Sequence, residues 1–293
     1  MCVYSNTLNN KKTNPKSFLC DRYLTVRFQG FSHKKREKFL ELMNRMKMQR
    51  QNNDNNIIML KDVLSVLTII TMSFIVYTHG IDGEFAYDDP LIYKNPDVSG
   101  RNDDFLSVFW HDFWGLSLWH PKSHKSHRPL TIWTLRFTYQ LFDGSASWLH
   151  AMNVVVHALV SVLVYLCSRI LDPQHILKAF FAAVLFVSHP VHVDAVQQIA
   201  GTAELLCAVF VLSAFAASRV NRCQMLSGPL CVAAMLCKEQ GIMAVPLIIA
   251  YDVYINRFDI LRVIKTQIST VVFGIFLVIS KILLLSGKPP EYV

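Results

Sequence analysis

Residues 57–77 read IIMLKDVLSVLTIITMSFIVY, the first long apolar run of the chain. A helix needs roughly 20 predominantly apolar residues to cross the hydrocarbon core of a bilayer. This run has that length, and its only charged residues, Lys61 and Asp62, lie near its N-terminal end. It predicts a first membrane span. Because no apolar core with a small-residue cleavage site opens the chain, we expect the span to act as an uncleaved signal anchor.

Six further apolar runs follow the first one along the chain. They lie at residues 153–167, 179–187, 205–217, 226–237, 242–255 and 268–285. With 52% hydrophobic and 17% charged residues, the chain is too apolar for an ordinary soluble domain. The sequence therefore predicts an all-α polytopic integral membrane protein with about seven transmembrane helices.

Residues 1–56 carry much of the net charge of +8, with twelve Lys and Arg against four Asp and Glu. Under the positive-inside rule this excess predicts a cytoplasmic tail and argues against a nucleic-acid-binding arm. We expect the tail to be mostly disordered and to contact membrane lipid through anionic headgroups. A basic amphipathic helix at residues 31–48 is the less favoured alternative.

Later cations follow alternate spans, which extends the predicted orientation to residues 57–293. The cations on the expected cytoplasmic side are Arg169, Lys178, Arg219, Arg222, Arg257, Arg262 and Lys265. The expected luminal segments are the long loop at residues 82–150, and residues 189–204, 238–241 and 287–293. The polar groups best suited to chemistry therefore share one side of the membrane.

The luminal loop at residues 82–150 carries the adjacent carboxylates Asp88 and Asp89, followed at once by Pro90. Since proline disfavours helical angles in the preceding residue, we expect the pair on a shaped loop, where one carboxylate acts as a base. The alternative is a solvated turn that only ends the first span. The aromatic spacing of residues 105–119 predicts an interfacial helix, and residues 131–142 predict a second amphipathic helix.

Cations suited to a phosphate lie in the same luminal segments. Arg128 belongs to the run Ser-His-Lys-Ser-His-Arg-Pro-Leu at residues 123–130, and Lys238 precedes Glu239. Their alternative roles are headgroup binding for Arg128 and a snorkelling ion pair for Lys238 and Glu239. A carboxylate base beside cations that stabilise a phosphate leaving group fits glycosyl transfer from a lipid-linked phosphosugar.

Other ligand patterns are weak. His189, His192 and Asp194 form H-P-x-H-x-D, which has only two histidines and no third strong ligand, so no metal site is predicted. None of the seven cysteines lies in the long loop, so neither a disulfide framework nor a CxxC metal site is indicated. No Walker or G-x-G-x-x-G nucleotide motif is present.

Five ordered motifs carry a resemblance to a known family. They are Phe-Ala-Tyr-Asp-Asp at 85–89, His-Asp-Phe-Trp-Gly at 111–115, the run at 123–130, His-Pro-Val-His at 189–192, and Met-Leu-Cys-Lys-Glu-Gln-Gly at 235–241. Together they resemble the transmembrane and tetratricopeptide-repeat-containing proteins, which are protein O-mannosyltransferases of the endoplasmic reticulum with the multispanning GT-C architecture. The resemblance covers residues 57–293.

The resemblance implies dolichyl-phosphate-mannose as donor and Ser or Thr of luminal proteins such as cadherins as acceptor. No cofactor is expected, and the sequence does not indicate a divalent metal. It implies that Asp88 or Asp89 is the base of an inverting transfer, and we favour Asp88. Arg128 and Lys238 would then hold the departing dolichyl phosphate. The pocket would be lined by His189, His192 and Glu239. The expected location is the endoplasmic-reticulum membrane, multi-pass, with the N-terminus cytoplasmic.

The sequence departs from the family pattern after the last apolar run. Family members continue into tetratricopeptide repeats, but no repeat with a period of roughly 34 residues is visible here. The alternative to an enzyme is therefore a truncated, non-catalytic membrane partner or lipid-binding protein of the endoplasmic reticulum. A transporter is disfavoured, because the apolar runs lack paired intramembrane charges and repeated halves.

Overall fold

The structure is a computed structural model that describes residues 33–102, 104–220 and 222–285. Its first helix, α1 (His33–Tyr77), contains no glycine or proline. Its residues up to Leu60 belong to one compact unit, and the chain from Lys61 onward forms a second. Residues 33–56 are thus helical where a flexible tail was favoured, since nothing in their sequence interrupts the helix. The rest of the predicted tail, including Cys2 and Cys20, lies outside the described residues, as do residues 286–293.

The second unit is built from helices joined by short segments. After α1 these are α2 (Asp89–Lys94), α3 (Pro96–Ser99), α4 (Pro129–Leu141), α5 (Ala146–Leu171), α6 (Ile176–Ser188), α7 (His192–Gln197), α8 (Thr202–Arg219), α9 (Ser227–Cys237), α10 (Ala244–Ile255), α11 (Ile260–Thr266) and α12 (Ile268–Leu285). Short 3₁₀ turns cover Thr78–Gly80, Ser107–Phe109, Ile199–Gly201, Gln224–Leu226 and Glu239–Met243. Among the described residues there is no β-strand, only an isolated bridge between His111 and Ser117. The all-α prediction is confirmed.

Within the part of the chain that the structure describes, three helical segments are long and apolar enough to cross a membrane: Glu37–Gly80, Ala146–Leu171 and Ile199–Arg219. Ile260–Thr266 and Ile268–Leu283 would give a fourth if this pair, bent by 83°, counts as one span. Ile176–Ser188 and Gln224–Cys237 are apolar but shorter. All seven predicted runs lie in helices, and the polytopic membrane class is confirmed. The count of seven spans stays a prediction.

Small side chains allow the long helices to pack closely. Ala179 and Ala183 of α6 are fully buried against Ile69 of α1 and Tyr165 of α5. In a second cluster, small residues of α8, α9 and α10 pack together with Leu277 of α12: Ala214, Cys231 and Ala244. Without a hydrophobic driving force inside lipid, such close contacts supply much of the association energy between spans. The helices that carry the polar groups at their ends are therefore held together by these buried clusters.

The loop at residues 82–150 folds around helix α4 with a core of its own. That core consists of Ile92, Val98, Val108, Phe113, Ile132, Leu135, Leu149 and Ile199. Leu149 belongs to α5, and Ile199 belongs to the turn that precedes α8. The loop is therefore packed directly onto the start of both helices. The helix predicted at residues 131–142 is confirmed as α4, which begins two residues earlier at Pro129.

Residues 105–119 do not form the predicted interfacial helix. Beyond the turn Ser107–Phe109 the chain is irregular, and Gly115 has a φ of 87°. The Asp112 carboxylate accepts hydrogen bonds from the backbone N–H groups of Trp114 at 3.0 Å and Leu116 at 2.9 Å. These local side-chain bonds compete with helical ones, which explains why the aromatic spacing alone was misleading.

Candidate functional site

The two adjacent carboxylates have different environments. Asp89 is fully buried, and it accepts hydrogen bonds from the N–H of Ala200 at 3.0 Å and of Ala86 at 3.3 Å. Asp88 is exposed, and its carboxylate makes no hydrogen bond within the described ranges. Asp89 thus ties the loop to the turn before α8, whereas Asp88 remains open to a substrate.

The pair lies at a helix start, not on the loop expected from Pro90. Asp88 occupies the N-cap of α2, and Asp89 is its first residue. Proline is well tolerated in the first turn of a helix, where its missing N–H would have no partner in any case. Just before the pair, Tyr87 has a φ of 50°, a left-handed conformation that is uncommon for a non-glycine residue. The chain therefore turns sharply at the point where Asp88 is presented.

Two further buried carboxylates, Asp97 and Asp112, shape the loop that leads to Arg128. Asp97 accepts hydrogen bonds from Ser107 Oγ at 2.8 Å and from Asn102 Nδ2 at 2.9 Å, and its other oxygen is 2.7 Å from His111 Nδ1. Asp112 accepts one from Ser123 Oγ at 2.6 Å, in addition to its backbone bonds. Both carboxylates are saturated by the loop itself, so they position neighbouring segments.

Four charged side chains meet where α4, α8 and α9 come together, and we call Arg128, Glu204, Lys238 and Glu239 the four-charge cluster. Nε and Nη2 of Arg128 each lie 3.1 Å from Oε2 of Glu239. Lys238 forms an ion pair with Glu204 in the first turn of α8. The two ion pairs share one backbone segment, because Glu239, the partner of Arg128, directly follows Lys238 in the chain.

Contacts around the four-charge cluster fix its geometry. The guanidinium of Arg128 lies 4.8 Å from the ring centroid of Phe113, which is buried in the loop core. One turn into α4, Thr131 Oγ1 donates a hydrogen bond of 2.8 Å to the carbonyl of Cys237. This bond joins the start of α4 to the end of α9, immediately before Lys238. Arg128 and Lys238 therefore keep a fixed separation.

The four-charge cluster leaves two buried acceptors open. Oε2 of Glu204 and Oε1 of Glu239 are buried and have no hydrogen-bond partner in the described part of the chain. Buried polar atoms are nearly always paired, so unpaired ones commonly mark sites that a ligand or an ordered water completes. The arrangement combines two oriented cations with two open acceptors, which suits a ligand that carries both phosphate and hydroxyl groups.

Lys281 and His127 border the four-charge cluster. Lys281 of α12 is close enough to Glu239 and Arg128 for their charges to interact. His127 is 8% exposed, and burial together with the Lys281 charge lowers its pKa, although the Phe109 carbonyl and Glu239 act in the opposite direction. His127 is therefore neutral at neutral pH, and the positive charge at this end of the helices comes from Arg and Lys.

His189 and His192 belong to a separate aromatic group. The ring of His192 lies 4.1 Å from that of Phe186, 5.5 Å from that of His157 and 6.0 Å from that of His189, all between centroids. Burial, followed by the His189 charge, lowers the pKa of His192. No hydrogen bond or ion pair found among the described residues joins these histidines to the four-charge cluster. Their pocket role stays a prediction.

The sequence reasoning missed Glu204 and Lys281 as members of the site. Each had a usable signal: Glu204 opens an otherwise apolar helix, and Lys281 is the one charged residue within Ile268–Leu285. An ionisable residue inside an apolar span is costly and commonly functional.

Within residues 33–102, 104–220 and 222–285, no group of three or more His, Cys, Asp or Glu is placed to hold a metal ion.

Fold and site together define a polytopic all-α membrane protein with a charged cluster at one end of its helices. Residues 123–283 match the model of the family described as dolichyl-phosphate-mannose-protein mannosyltransferase. The chain belongs to this family. The matched segment contains the four-charge cluster and Lys281, and it begins after Asp88 and Asp89.

Curated relatives agree with the family match. Protein O-mannosyl-transferase F38B6.6 of Caenorhabditis elegans is 36% identical over 67% of this chain and 29% of the relative. Protein O-mannosyl-transferase TMTC3 of Mus musculus is 34% identical over 66% of the chain and 22% of the relative. For TMTC4 of Homo sapiens the values are 33%, 68% and 30%. The chain spans less than a third of the length of each of these relatives, and no solved structure matches it.

Proposed function

We propose that this chain forms the membrane part of a protein O-mannosyltransferase that moves mannose from dolichyl-phosphate-mannose to Ser or Thr of luminal proteins. The observation that carries the proposal is the four-charge cluster, in which Arg128 and Lys238 are each held by a glutamate that has one unpaired carboxylate oxygen. Membership of the mannosyltransferase family supports a mannose donor and a protein acceptor. Cadherin domains remain the expected acceptors, as implied by the sequence resemblance.

In the proposed reaction, Asp88 is the base. The acceptor hydroxyl oxygen attacks the anomeric carbon of mannose, the bond from that carbon to the phosphate oxygen breaks, and Asp88 takes the hydroxyl proton. Configuration at the anomeric carbon inverts, and dolichyl phosphate leaves with the bonding electrons. The exposed, unbonded carboxylate of Asp88 supports this role better than that of Asp89, whose oxygens already accept two backbone hydrogen bonds.

Arg128 and Lys238 are proposed to stabilise the charge that develops on the leaving phosphate. A fixed guanidinium fork and an ammonium group that face the same site stabilise an oxyanion without reorganisation at the moment of reaction. Glu239 and Glu204 orient these cations before the donor arrives, and Oε1 of Glu239 is available to accept a hydrogen bond from the sugar. His189 and His192 are proposed to line the wider pocket.

We infer an endoplasmic-reticulum location with a cytoplasmic N-terminus. The pattern of basic residues supports this orientation. The structure adds that Arg169 contacts Asp62, and Arg219 contacts Asp252, at the helix ends opposite to the four-charge cluster. In the proposed orientation the four-charge cluster and Asp88 face the lumen, where both acceptor and donor headgroup would be available.

The proposal is tested by transfer of labelled mannose from dolichyl-phosphate-mannose to a purified cadherin domain in membranes that contain the chain. Asp88→Asn should reduce the rate by roughly 100- to 10,000-fold, the usual range for loss of a general base. The matched control is Asp82→Asn, which changes another exposed acid of the same loop. The assay is repeated with a form extended at its C-terminus by tetratricopeptide repeats.

The outcomes separate three conclusions. Asp88-dependent transfer by the 293-residue chain would mean that the spans present here suffice. Transfer only by the extended form would keep the chemistry and make the repeats necessary. If neither form shows transfer that depends on Asp88, the assignment of Asp88 as the base is wrong, and a complete lack of transfer would make the chain a non-catalytic membrane partner.

A further inference from the structure

A groove separates α1 from α6 at the helix ends opposite to the four-charge cluster, and we call it the α1–α6 groove. Its volume is about 610 Å³. Its walls include apolar side chains and its mouth is cationic: Lys61, Leu64, Thr68, His175, Lys178 and Phe180 are among the residues that line it. No carboxylate is among the described residues that line it. All of these residues belong to the second compact unit.

The position of the α1–α6 groove matches a bilayer interface. Lys61 is the last cation before the uninterrupted apolar part of α1, and Lys178 lies in the first turn of the apolar helix α6. Residues 61–68 line the groove together with residues 174–180, and later residues of both helices, Ile69 and Ala183, share one core cluster, so the two helices run in the same direction from these lysines. The cationic mouth is therefore at headgroup level, and Leu64 and Phe180 line the part that extends toward the hydrocarbon core.

The positive charge at the mouth is only partly compensated. Lys61 is exposed and forms no ion pair in the described part of the chain, since neighbouring Asp62 is taken by Tyr165 and Arg169. Lys178 lies 3.1 Å from Asp172, which also contacts His175 at 2.7 Å. Asp172 thus compensates the charge of Lys178, and Lys61 leaves one positive charge without a partner at the mouth.

A second groove offers an internal comparison. It lies on the other side of α1, has a volume of about 720 Å³, and is lined by Val63, Val66 and Leu166 together with Asp62 and Arg169. There the only two charged residues neutralise each other. Two apolar grooves of similar size therefore flank the same helix, but only the α1–α6 groove combines apolar walls with an excess of positive charge.

We propose that the α1–α6 groove binds an anionic phospholipid of the surrounding leaflet, with an acyl chain against Leu64 and Phe180 and the headgroup phosphate between Lys61 and Lys178. Apolar walls recognise the chain, and the two ammonium groups recognise the negative headgroup. The site is separate from the proposed donor site and is independent of whether the chain transfers mannose.

The test measures the thermal unfolding of the purified chain in detergent micelles with added dioleoylphosphatidylserine or dioleoylphosphatidylcholine. A ligand that binds the folded state raises the Tm with its concentration. We expect phosphatidylserine to raise the Tm of the wild type, and phosphatidylcholine and inorganic phosphate to have much smaller effects. Removal of Lys61 should weaken apparent binding by roughly fivefold, since a lysine near a headgroup contributes about 1 kcal/mol.

Three variants make the assignment specific. Lys61→Gln combined with Lys178→Gln should lose most of the phosphatidylserine effect, whereas Lys265→Gln, an exposed lysine of α11 outside the groove, should retain it. Thr68→Trp should also lose the stabilisation by phosphatidylserine although it changes no charge, because an indole at this exposed lining position fills the groove. If the double variant proves unstable, the single variant Lys178→Gln and Thr68→Trp still decide the question.

The proposal is overturned by any of three results: an undiminished effect in the double variant or in Thr68→Trp, an equal loss in Lys265→Gln, or equal stabilisation by phosphatidylcholine. The first would place the lipid elsewhere. The second would show a diffuse cationic surface, and the third would show that charge plays no part in the recognition.

Discussion

Ion pairs occur at both ends of helix α8, and they differ in how completely they are satisfied. At its start Glu204 belongs to the four-charge cluster, and at its end Arg219 contacts Asp252, a separation of about 22 Å along the helix. Asp252 accepts hydrogen bonds from Arg219 at 2.8 Å and from Thr266 Oγ1 at 2.7 Å, so both of its oxygens are used. Arg219, Asp252 and Thr266 are called the Asp252 cluster below.

The difference separates structure from function. The Asp252 cluster is closed: its side chains are 13% and 5% exposed for Arg219 and Asp252, and every carboxylate oxygen has a partner. In the four-charge cluster one oxygen of Glu204 and one of Glu239 are buried without a partner. A closed, buried pair holds helices in register, whereas oriented cations beside open acceptors are ready for a ligand.

Breaking the Asp252 cluster should give the largest change in stability. Asp252→Ala leaves the 13% exposed Arg219 guanidinium without its carboxylate, and removing one member of a buried pair costs about 3–5 kcal/mol. We expect a large fall in the Tm measured in detergent. Donor affinity of the remaining folded protein should be unchanged. A Tm close to that of the wild type would contradict a structural role.

Arg128→Ala should have its main effect on donor binding. A hydrogen bond to a charged group contributes about 1.5–3 kcal/mol, which corresponds to a roughly 10- to 150-fold weaker interaction with dolichyl-phosphate-mannose. The Tm should fall less than in Asp252→Ala, because Glu239 is 29% exposed and is partly hydrated once it loses its partner. Titration with the donor measures the first effect. Unaltered donor affinity would remove Arg128 from the phosphate site.

Asp89→Asn should cost about 1–2 kcal/mol of stability, since an amide has one acceptor oxygen for the two backbone N–H groups that the buried carboxylate now serves. Asp88→Asn should leave the Tm unchanged, because its side chain is exposed and unbonded. The pair of unfolding curves thus sharpens the distinction between a positioning and a catalytic carboxylate. Equal losses of stability would show that the two residues share one structural role.

The smallest effect concerns pH. Because the pKa of His127 is lowered in the folded protein, the unfolded chain binds a proton at higher pH than the folded one. The free energy of unfolding is therefore unaffected by His127 above a pH of about 6.5, where the imidazole is neutral in both states. It decreases as the pH falls from there toward the lower pKa of His127 in the folded protein. His127→Gln should flatten the fall in Tm over that interval, whereas His120→Gln, at an exposed site, should not. An identical pH profile for wild type and His127→Gln would contradict the burial argument.

The helices were predictable because each follows from a local pattern. An apolar run of sufficient length forms a helix in a membrane since no water can satisfy its backbone, so residues 57–77 and 205–217 were located correctly. Helix α4 likewise follows from its amphipathic sequence. The irregular course of residues 105–119 was not predictable from aromatic spacing, because it depends on which N–H groups the Asp112 carboxylate captures in three dimensions.

Single members of the four-charge cluster were singled out from the sequence, but their assembly was not. Sequence chemistry proposed Arg128 and Lys238, the resemblance added Glu239, and the structure places all three in the four-charge cluster. The contact of Glu204 with Lys238 could not be predicted because the two are 34 residues apart, although the position of Glu204 at the start of an apolar helix was a usable signal. The different burial of Asp88 and Asp89 also depends on a distant group, the N–H of Ala200.

The most direct test compares two conservative substitutions, Arg128→Lys and Arg219→Lys, which keep the charge but remove the planar fork. Binding of dolichyl-phosphate-mannose and the Tm are measured for both purified variants. If the four-charge cluster holds the donor phosphate and the Asp252 cluster holds the fold, Arg128→Lys should weaken donor binding about tenfold at nearly unchanged Tm. Arg219→Lys should lower the Tm while donor binding is retained. Equal loss of donor binding in both variants, or none in Arg128→Lys, would contradict this division of roles.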